Sequence, residues 1–269
     1  MDLSTLLGLV IGFALIIVVL ILDGGAPAEL FSVPQAILLI FGGSMAATAI
    51  SSSQKVFSSL PKLVAETFKQ KKANPEEAIE LLTRMADKAR REGLLALEEE
   101  SKKIKDPFLQ KGIMLVVDGV DPAQVRSILE TTIENLRSRH KKGAGAFAAA
   151  GGFSPTFGII GTVMGLMHAL KMLDDPKKLA EAIAGAFLAT LWGLLFANLI
   201  FIPIGNKLKT KSEEEVHYRY LLMEGILALQ AGENPRIVRE KLNAFLSPKE
   251  TQTSESKKKA PAAAQKAKA

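Results

Sequence analysis

Cysteine is absent from the 269 residues, which excludes disulfides, thiolate metal sites and cysteine nucleophiles together. Histidine is scarce: His140, His168 and His217 are scattered, and none has a partner at metal-ligand spacing. There is no Walker loop. The run "GAGAFA" from Gly143 formally satisfies the short dinucleotide fingerprint, but the preceding "RSRHKK" is no buried strand, so the match is accidental. Ser154 is followed by Pro155 in an apolar segment with no base implied nearby. Neither enzymatic activity nor a cofactor is expected.

Charge is missing in blocks. Leu3 to Leu22, Phe31 to Ser53, Gly143 to Leu170 and Ala182 to Asn206 contain no acidic or basic residue. Each is long enough to cross a hydrocarbon core of about 30 Å at about 1.5 Å per helical residue. With 48% hydrophobic residues gathered into these blocks, the chain reads as a polytopic, all-α membrane protein with four spans. Asp2 stands where a secretory signal would carry positive charge, and a second span follows closely. The first window is therefore expected to be retained as a helix.

The charge that is present is lopsided. Of 34 Lys and Arg, 18 lie between Gln54 and Lys142, 13 follow Asn206, and only three lie elsewhere. The positive-inside rule predicts that the long loop and both termini are cytoplasmic, and Lys55, the Arg137 to Lys142 cluster and Lys207, Lys209 and Lys211 flank span ends. This topology explains the net charge of +6 without nucleic acid.

The predicted organisation is a transmembrane hairpin over 1–53 (spans 3–22 and 31–53), a helical cytoplasmic domain over 54–142 between the second and third spans, and a second hairpin over 143–206 (spans 143–170 and 182–206). Cytoplasmic helices over 207–246 and a disordered basic tail over 247–269 complete it. Helix starts are written as a polar cap followed by proline: Asn74–Pro75, Asp121–Pro122, Asp175–Pro176 and Asn234–Pro235. After Asp121, Val125, Ile128, Leu129, Ile133 and Leu136 form one apolar face. This helix and the one starting at Pro75 are expected to pack together.

Within "GFSPTFGIIGTVMGL" (residues 152–166), Gly161 and Gly165 form a GxxxG step extended by Gly158 and Gly152, and helix packing is sufficient reason for them. Pro155 and Pro203 each deprive a backbone carbonyl of its helical donor, which a neighbouring helix, hydroxyl or water must satisfy. Together with Thr162, Thr190 and Asn198 they suggest a polar seam. No span supplies a carboxylate, yet ion-coupled membrane machines commonly use one. If the protein conducts ions, another chain must bring that acid.

In the cytoplasmic loop, Arg90 and Arg91 precede Gly93 and Glu98, Glu99 and Glu100 follow it. Pairing of Glu98 with Lys102 and Glu99 with Lys103 at i to i+4 would suit a solvated helix. The arginines have no such assignment, and segregated opposite charges can select a partner.

"ARREGLLALEEE", "KDPFLQKG", "SPTFGIIGTVMGL", "DDPKKLAEAIAGAFLATLWGLLFANLIFIPI" and "NPRIVREKL", set after two short-looped spans, resemble the A subunit of the flagellar motor stator, the MotA/PomA family of the MotA/TolQ/ExbB superfamily. The similarity runs from Met1 to about Leu246. It implies a homopentamer in a bacterial inner membrane, around a dimer of MotB/PomB-like B subunits that each supply an intramembrane aspartate. Ion flow would turn the ring and drive motility and chemotaxis. The family's functional prolines match Pro155 and Pro203, and its charges that engage the rotor protein FliG match Arg90, Arg91, Glu98 and Glu99. Ser101 stands where some members have a further acid. Thr162 and Thr190 match sodium-type members and form a candidate sodium site, although Ala189 replaces a third threonine, so the coupling ion is read as sodium ahead of proton. The alternatives are a TolQ/ExbB-type energiser, which would have three spans, and a non-conducting scaffold, which would leave Pro155, Pro203 and Thr162 free to vary.

Overall fold

The computed structural model describes residues 3–69 and 74–246, so the tail over 247–269 lies outside the described residues. Among the described residues every regular element is helical. The ten α-helices are α1 (Leu3–Leu22), α2 (Pro34–Ser51), α3 (Gln54–Phe68), α4 (Pro75–Glu92), α5 (Glu98–Ser101), α6 (Pro107–Val117), α7 (Pro122–Ala169), α8 (Pro176–Leu195), α9 (Ile202–Gln230) and α10 (Pro235–Asn243). Four helical stretches are long and apolar enough to cross a membrane: α1, α2, Pro122–Met172 and Pro176–Gln230. The third apolar window thus opens inside a continuous helix that begins at Pro122.

The polar-cap-plus-proline device operates as a repeated start signal. Asn74 accepts a hydrogen bond from the Glu77 amide, Asp121 from the Ala123 and Gln124 amides, Asp175 from the Lys178 amide and Asn234 from the Arg236 amide. Each satisfies a donor that the first helical turn leaves orphaned, while proline at the next position gives up no needed N–H. Asp106 before Pro107 is a fifth such cap, accepting from the Phe108 and Leu109 amides at 2.9 and 3.1 Å. Its signal in the sequence is the same polar residue before proline.

The chain divides into two compact units, one from residues up to 71 together with 138–212, the other from 72–137 together with 213 onward. In the first unit the apolar helices are joined by an aromatic ladder. Phe31 contacts Trp192, Trp192 contacts Phe196, and Phe196 and Phe41 both contact Phe201. The Trp192 indole N–H donates to the Leu30 carbonyl at 2.7 Å. That bond fastens the 3-10 turn Pro27–Phe31 to α8 and gives a buried tryptophan its polar partner. At the other end of the unit, the Lys211 ammonium donates to the carbonyls of Glu66, Thr67 and Lys69 at 2.7, 2.9 and 2.5 Å. It closes the C-terminus of α3 where the helix leaves carbonyls unpaired and its dipole favours a cation.

The second unit has its own core. Ile79 and Leu82 of α4, Ile113 of α6, Val125, Leu129 and Ile133 of α7, Leu222 and Ile226 of α9, and Val238 and Leu242 of α10 are buried in one cluster. The predicted apolar face after Asp121 is the face that α7 contributes, with Leu136 half-buried at its margin and Ile128 less deeply buried than its neighbours. One charged device sits at the edge of this core. The Arg219 guanidinium grips both oxygens of Asp106 at 2.7 and 2.8 Å and lies over the Phe108 ring.

Candidate functional site

The first unit brings the expected polar residues of α7 and α8 together by close backbone approach. A Cβ built at Gly193 would lie 2.9 Å from the Gly158 Cα and 3.0 Å from the Ser154 carbonyl. One built at Gly161 would meet Ala189 Cβ at 3.0 Å, and one at Gly165 would meet Ala186 Cβ at 2.8 Å. Glycine against glycine or alanine therefore sets an antiparallel seam in which backbones nearly touch.

That proximity places Thr162 across from α8. Its hydroxyl lies 3.0 Å from the Gly158 carbonyl of its own helix and 3.0 Å from the Ala186 carbonyl opposite, and it hydrogen bonds to the Thr190 hydroxyl. Each hydroxyl has one proton. Donation from Thr190 to Thr162 leaves the Thr162 proton for one of the two carbonyls. Four uncharged oxygens, two of them carbonyls, thus cluster at one level of the seam, and both threonines are half-buried.

The prolines lie in a second stretch of the same unit. Pro155, inside α7, cannot donate to the Gly151 carbonyl, and Pro203, inside α9, cannot donate to the Leu199 carbonyl. Gly151 packs against Ile202, the residue before Pro203: a Cβ at Gly151 would meet Ile202 Cγ1 at 2.6 Å. A π-helical turn, Phe196–Phe201, immediately precedes α9, and its widened backbone accommodates the loss of a proline donor. Within that turn the Asn198 amide donates to the Leu194 carbonyl at 2.9 Å and remains exposed. Ser154, set aside above as a failed nucleophile, is fully buried, and its hydroxyl, like that of Ser44 on α2, has no hydrogen-bond partner among the described residues. Its signal in the sequence was the residue before a mid-helix proline.

In the second unit the charged segment is a clasped turn. α4 ends at Gly93, whose φ of +85° is a left-handed conformation that glycine adopts without strain. A 3-10 turn, Leu94–Leu97, leads to the single turn of α5. Lys88 closes the base of the loop by pairing with Glu100 at 3.2 Å, and Lys103 reaches the same carboxylate at 3.5 Å. The hydrogen bond from Lys88, then the charge of Lys103, hold the Glu100 carboxyl below its ordinary range.

Arg91 pairs with Asp87 at 3.0 Å and Glu98 with Lys102 at 3.0 Å. The expected Glu99–Lys103 pair does not form. α5 ends at Ser101, so positions 99 and 103 do not share a helix face, and Lys103 turns to Glu100 instead. Among the described residues the side chains of Arg90 and Glu99 have no ion pair, and both are exposed. No cluster of three or more His, Asp or Glu among the described residues could hold a metal ion.

Two family models match: the MotA/TolQ/ExbB proton channel family over residues 100–220 and the motility protein A N-terminal region over residues 6–93. The chain is 40% identical over 247 residues to the chemotaxis protein PomA of Vibrio alginolyticus, covering 92% of this chain and 96% of that one. It belongs to the motility protein A family. Motility protein A of Bacillus subtilis is 37% identical over 251 residues, 93% of each chain. Among solved structures, a chain of C. jejuni MotAB superposes with a TM-score of 0.88 at 36% identity, covering 92% of this chain and 97% of that one. A chain of the flagellar MotAB stator complex from Bacillus subtilis superposes equally, with a TM-score of 0.88 at 35% identity over 94% and 99% of the two chains. The motility protein A N-terminal match extends over the first hairpin, so the chain sits with the motility branch of the superfamily and not with its TolQ/ExbB-type energisers.

Proposed function

We propose that this motility protein A family member is the A subunit of a flagellar stator, which pairs with a B subunit to couple ion flow across the bacterial inner membrane to rotation. The observation that carries this reading is the superposition on chains of MotAB stator complexes along nearly the whole described fold. The seam suits the role. Its oxygens are neutral, so an ion passing there needs a carboxylate from outside the chain, and a MotB/PomB-like helix carrying an aspartate supplies it. Five A subunits around two B subunits would present five copies of the seam in turn.

The residues divide by task. Thr162 and Thr190, with the carbonyls of Gly158 and Ala186, form a hard-oxygen cluster of the kind alkali and alkaline-earth cations accept, which favours sodium over proton as the coupling ion. Pro155 and Pro203 keep carbonyl oxygens free of helical donors along the ion path. Arg90, Arg91, Glu98 and Glu99 face the rotor protein FliG from the cytoplasm, where the long loop and both termini lie.

Co-expression with a B subunit in a stator-null strain tests the reading. Swimming is expected in sodium medium and is lost in sodium-free medium. Absence of swimming in both media, with the chain inserted in the membrane, would overturn the stator function; swimming indifferent to sodium would replace sodium with proton.

A further inference from the structure

We infer that Leu95 is an apolar anchor of the rotor-facing loop, inserted on engagement into a hydrophobic pocket of the rotor partner that is rimmed by a carboxylate on one side and a cation on the other. The inference rests on the stator reading above and adds a contact to it. Leu95 is 75% exposed, the most exposed large apolar side chain described in the second unit. A single exposed leucine is ordinary on a protein surface. The surroundings of this one are not.

The 3-10 turn has three residues per turn, so Leu94 and Leu97 share a face, and both pack on the core of the unit. Leu95 must then point outward. Its turn is fixed at both ends, by the left-handed Gly93 and by the Lys88–Glu100 pair at the loop base. The anchor is therefore presented by an ordered loop and loses little freedom on docking. Leu95 also separates the two members of the charged group that have no ion pair within the described chain, Arg90 before it and Glu99 after it. Arg91 and Glu98, by contrast, are already engaged with Asp87 and Lys102. An exposed apolar side chain set along the chain between two opposite charges without ion pairs suits a partner surface of matching pattern, in which burial supplies affinity and the charges fix orientation.

The test uses full-length chain and B subunit in the stator-null strain, with Leu95→Asp and Leu95→Met. Leu95→Asp is expected to weaken stator engagement about tenfold or more, read as loss of motor speed steps in tethered cells, the scale of a hot-spot truncation. Membrane level, co-purification with the B subunit and ion conduction are expected to stay at the parent value, and Leu95→Met is expected to retain motility. Leu95→Asp motors that turn like the parent would overturn the anchor, as would loss of co-purification in that variant, which would make the residue structural. If the unsubstituted chain itself drives no rotation, the stator reading falls and the anchor with it.

Discussion

Thr162 is the residue on which the ion assignment turns, because its hydroxyl contacts a carbonyl of each helix of the seam as well as the Thr190 hydroxyl. Thr162→Ala removes one hard oxygen and leaves Thr190 to bond elsewhere. Losing one such contact costs about 1–2 kcal/mol, so the sodium concentration that gives half-maximal speed should rise about five- to thirtyfold. Thr162→Ser keeps the hydroxyl and should stay close to the parent. Speed curves against sodium that coincide for the parent and the alanine variant would remove Thr162 from the ion path. Glu100 allows a separate prediction in the second unit, based on pH. Its carboxyl is held below the ordinary value of 4.5 by the Lys88 hydrogen bond and the Lys103 charge. A carboxyl with a depressed folded value stabilises the fold above its unfolded value and loses that contribution as pH falls through the folded one. The clasp should therefore be constant from pH 7 to 5 and open only below the usual carboxylate range. Amide exchange at Gly93 to Leu97, corrected for intrinsic rates, should quicken only in that acid range, and Glu100→Gln should exchange fast throughout. If the glutamine variant exchanges like the parent, Glu100 does not hold the loop.

At the scale of elements, the α7–α8 seam is a contact between backbones, which makes it intolerant. Gly193→Ala would place a methyl 2.9 Å from the Gly158 Cα and 3.0 Å from the Ser154 carbonyl, and neither can rotate away. The helices must separate by several tenths of an ångström, at a cost of about 1–3 kcal/mol. Gly145→Ala meets nothing within 4 Å and gains helix propensity. In thermal unfolding of the purified complex, Gly193→Ala should melt below the parent and Gly145→Ala at or above it; equal melting of the two would mean the seam is not tight. The helix starts were legible in the sequence because capping is local: Asn74, Asp121, Asp175 and Asn234 each act within three residues. The small-residue surface of the third span was legible for the same reason. The pairing of Thr162 with Thr190 was not, since it depends on the antiparallel register that Gly158, Gly161 and Gly165 set with α8. Neither was the π-helical turn, which lies in a stretch apolar but for Asn198 and is marked in the sequence by Pro203 after its end. The charged loop misled in one respect. A break at Gly93 and a one-turn α5 moved Lys103 from Glu99 to Glu100.

For the whole molecule, four crossings put the long loop over 54–142 and the residues that follow Asn206 on one side of the membrane, and the positive-inside bias predicts that this side is the cytoplasm. The opposite orientation would place Lys55, Arg137, Arg139, Lys141 and Lys142, which flank the span ends, outside, against the bias that governs loop retention. Between the third and fourth apolar windows, over 171–181, the chain has only Lys171, Lys177 and Lys178, balanced by Asp174, Asp175 and Glu181. The absence of cysteine turns this into a clean measurement, because any introduced thiol is the sole thiol of the chain. Asp174→Cys and Thr131→Cys both fall at exposed positions. With the outer membrane opened and the inner membrane intact, a membrane-impermeant maleimide should modify the thiol at 174 and spare the one at 131. Opening the inner membrane should then expose both. The same orientation is what rotation on the cytoplasmic side requires, since Arg90, Leu95 and Glu99 can meet a rotor only if position 131 is protected in intact cells. Labelling at 131 with protection at 174 would therefore overturn the topology and the rotor-facing assignment together.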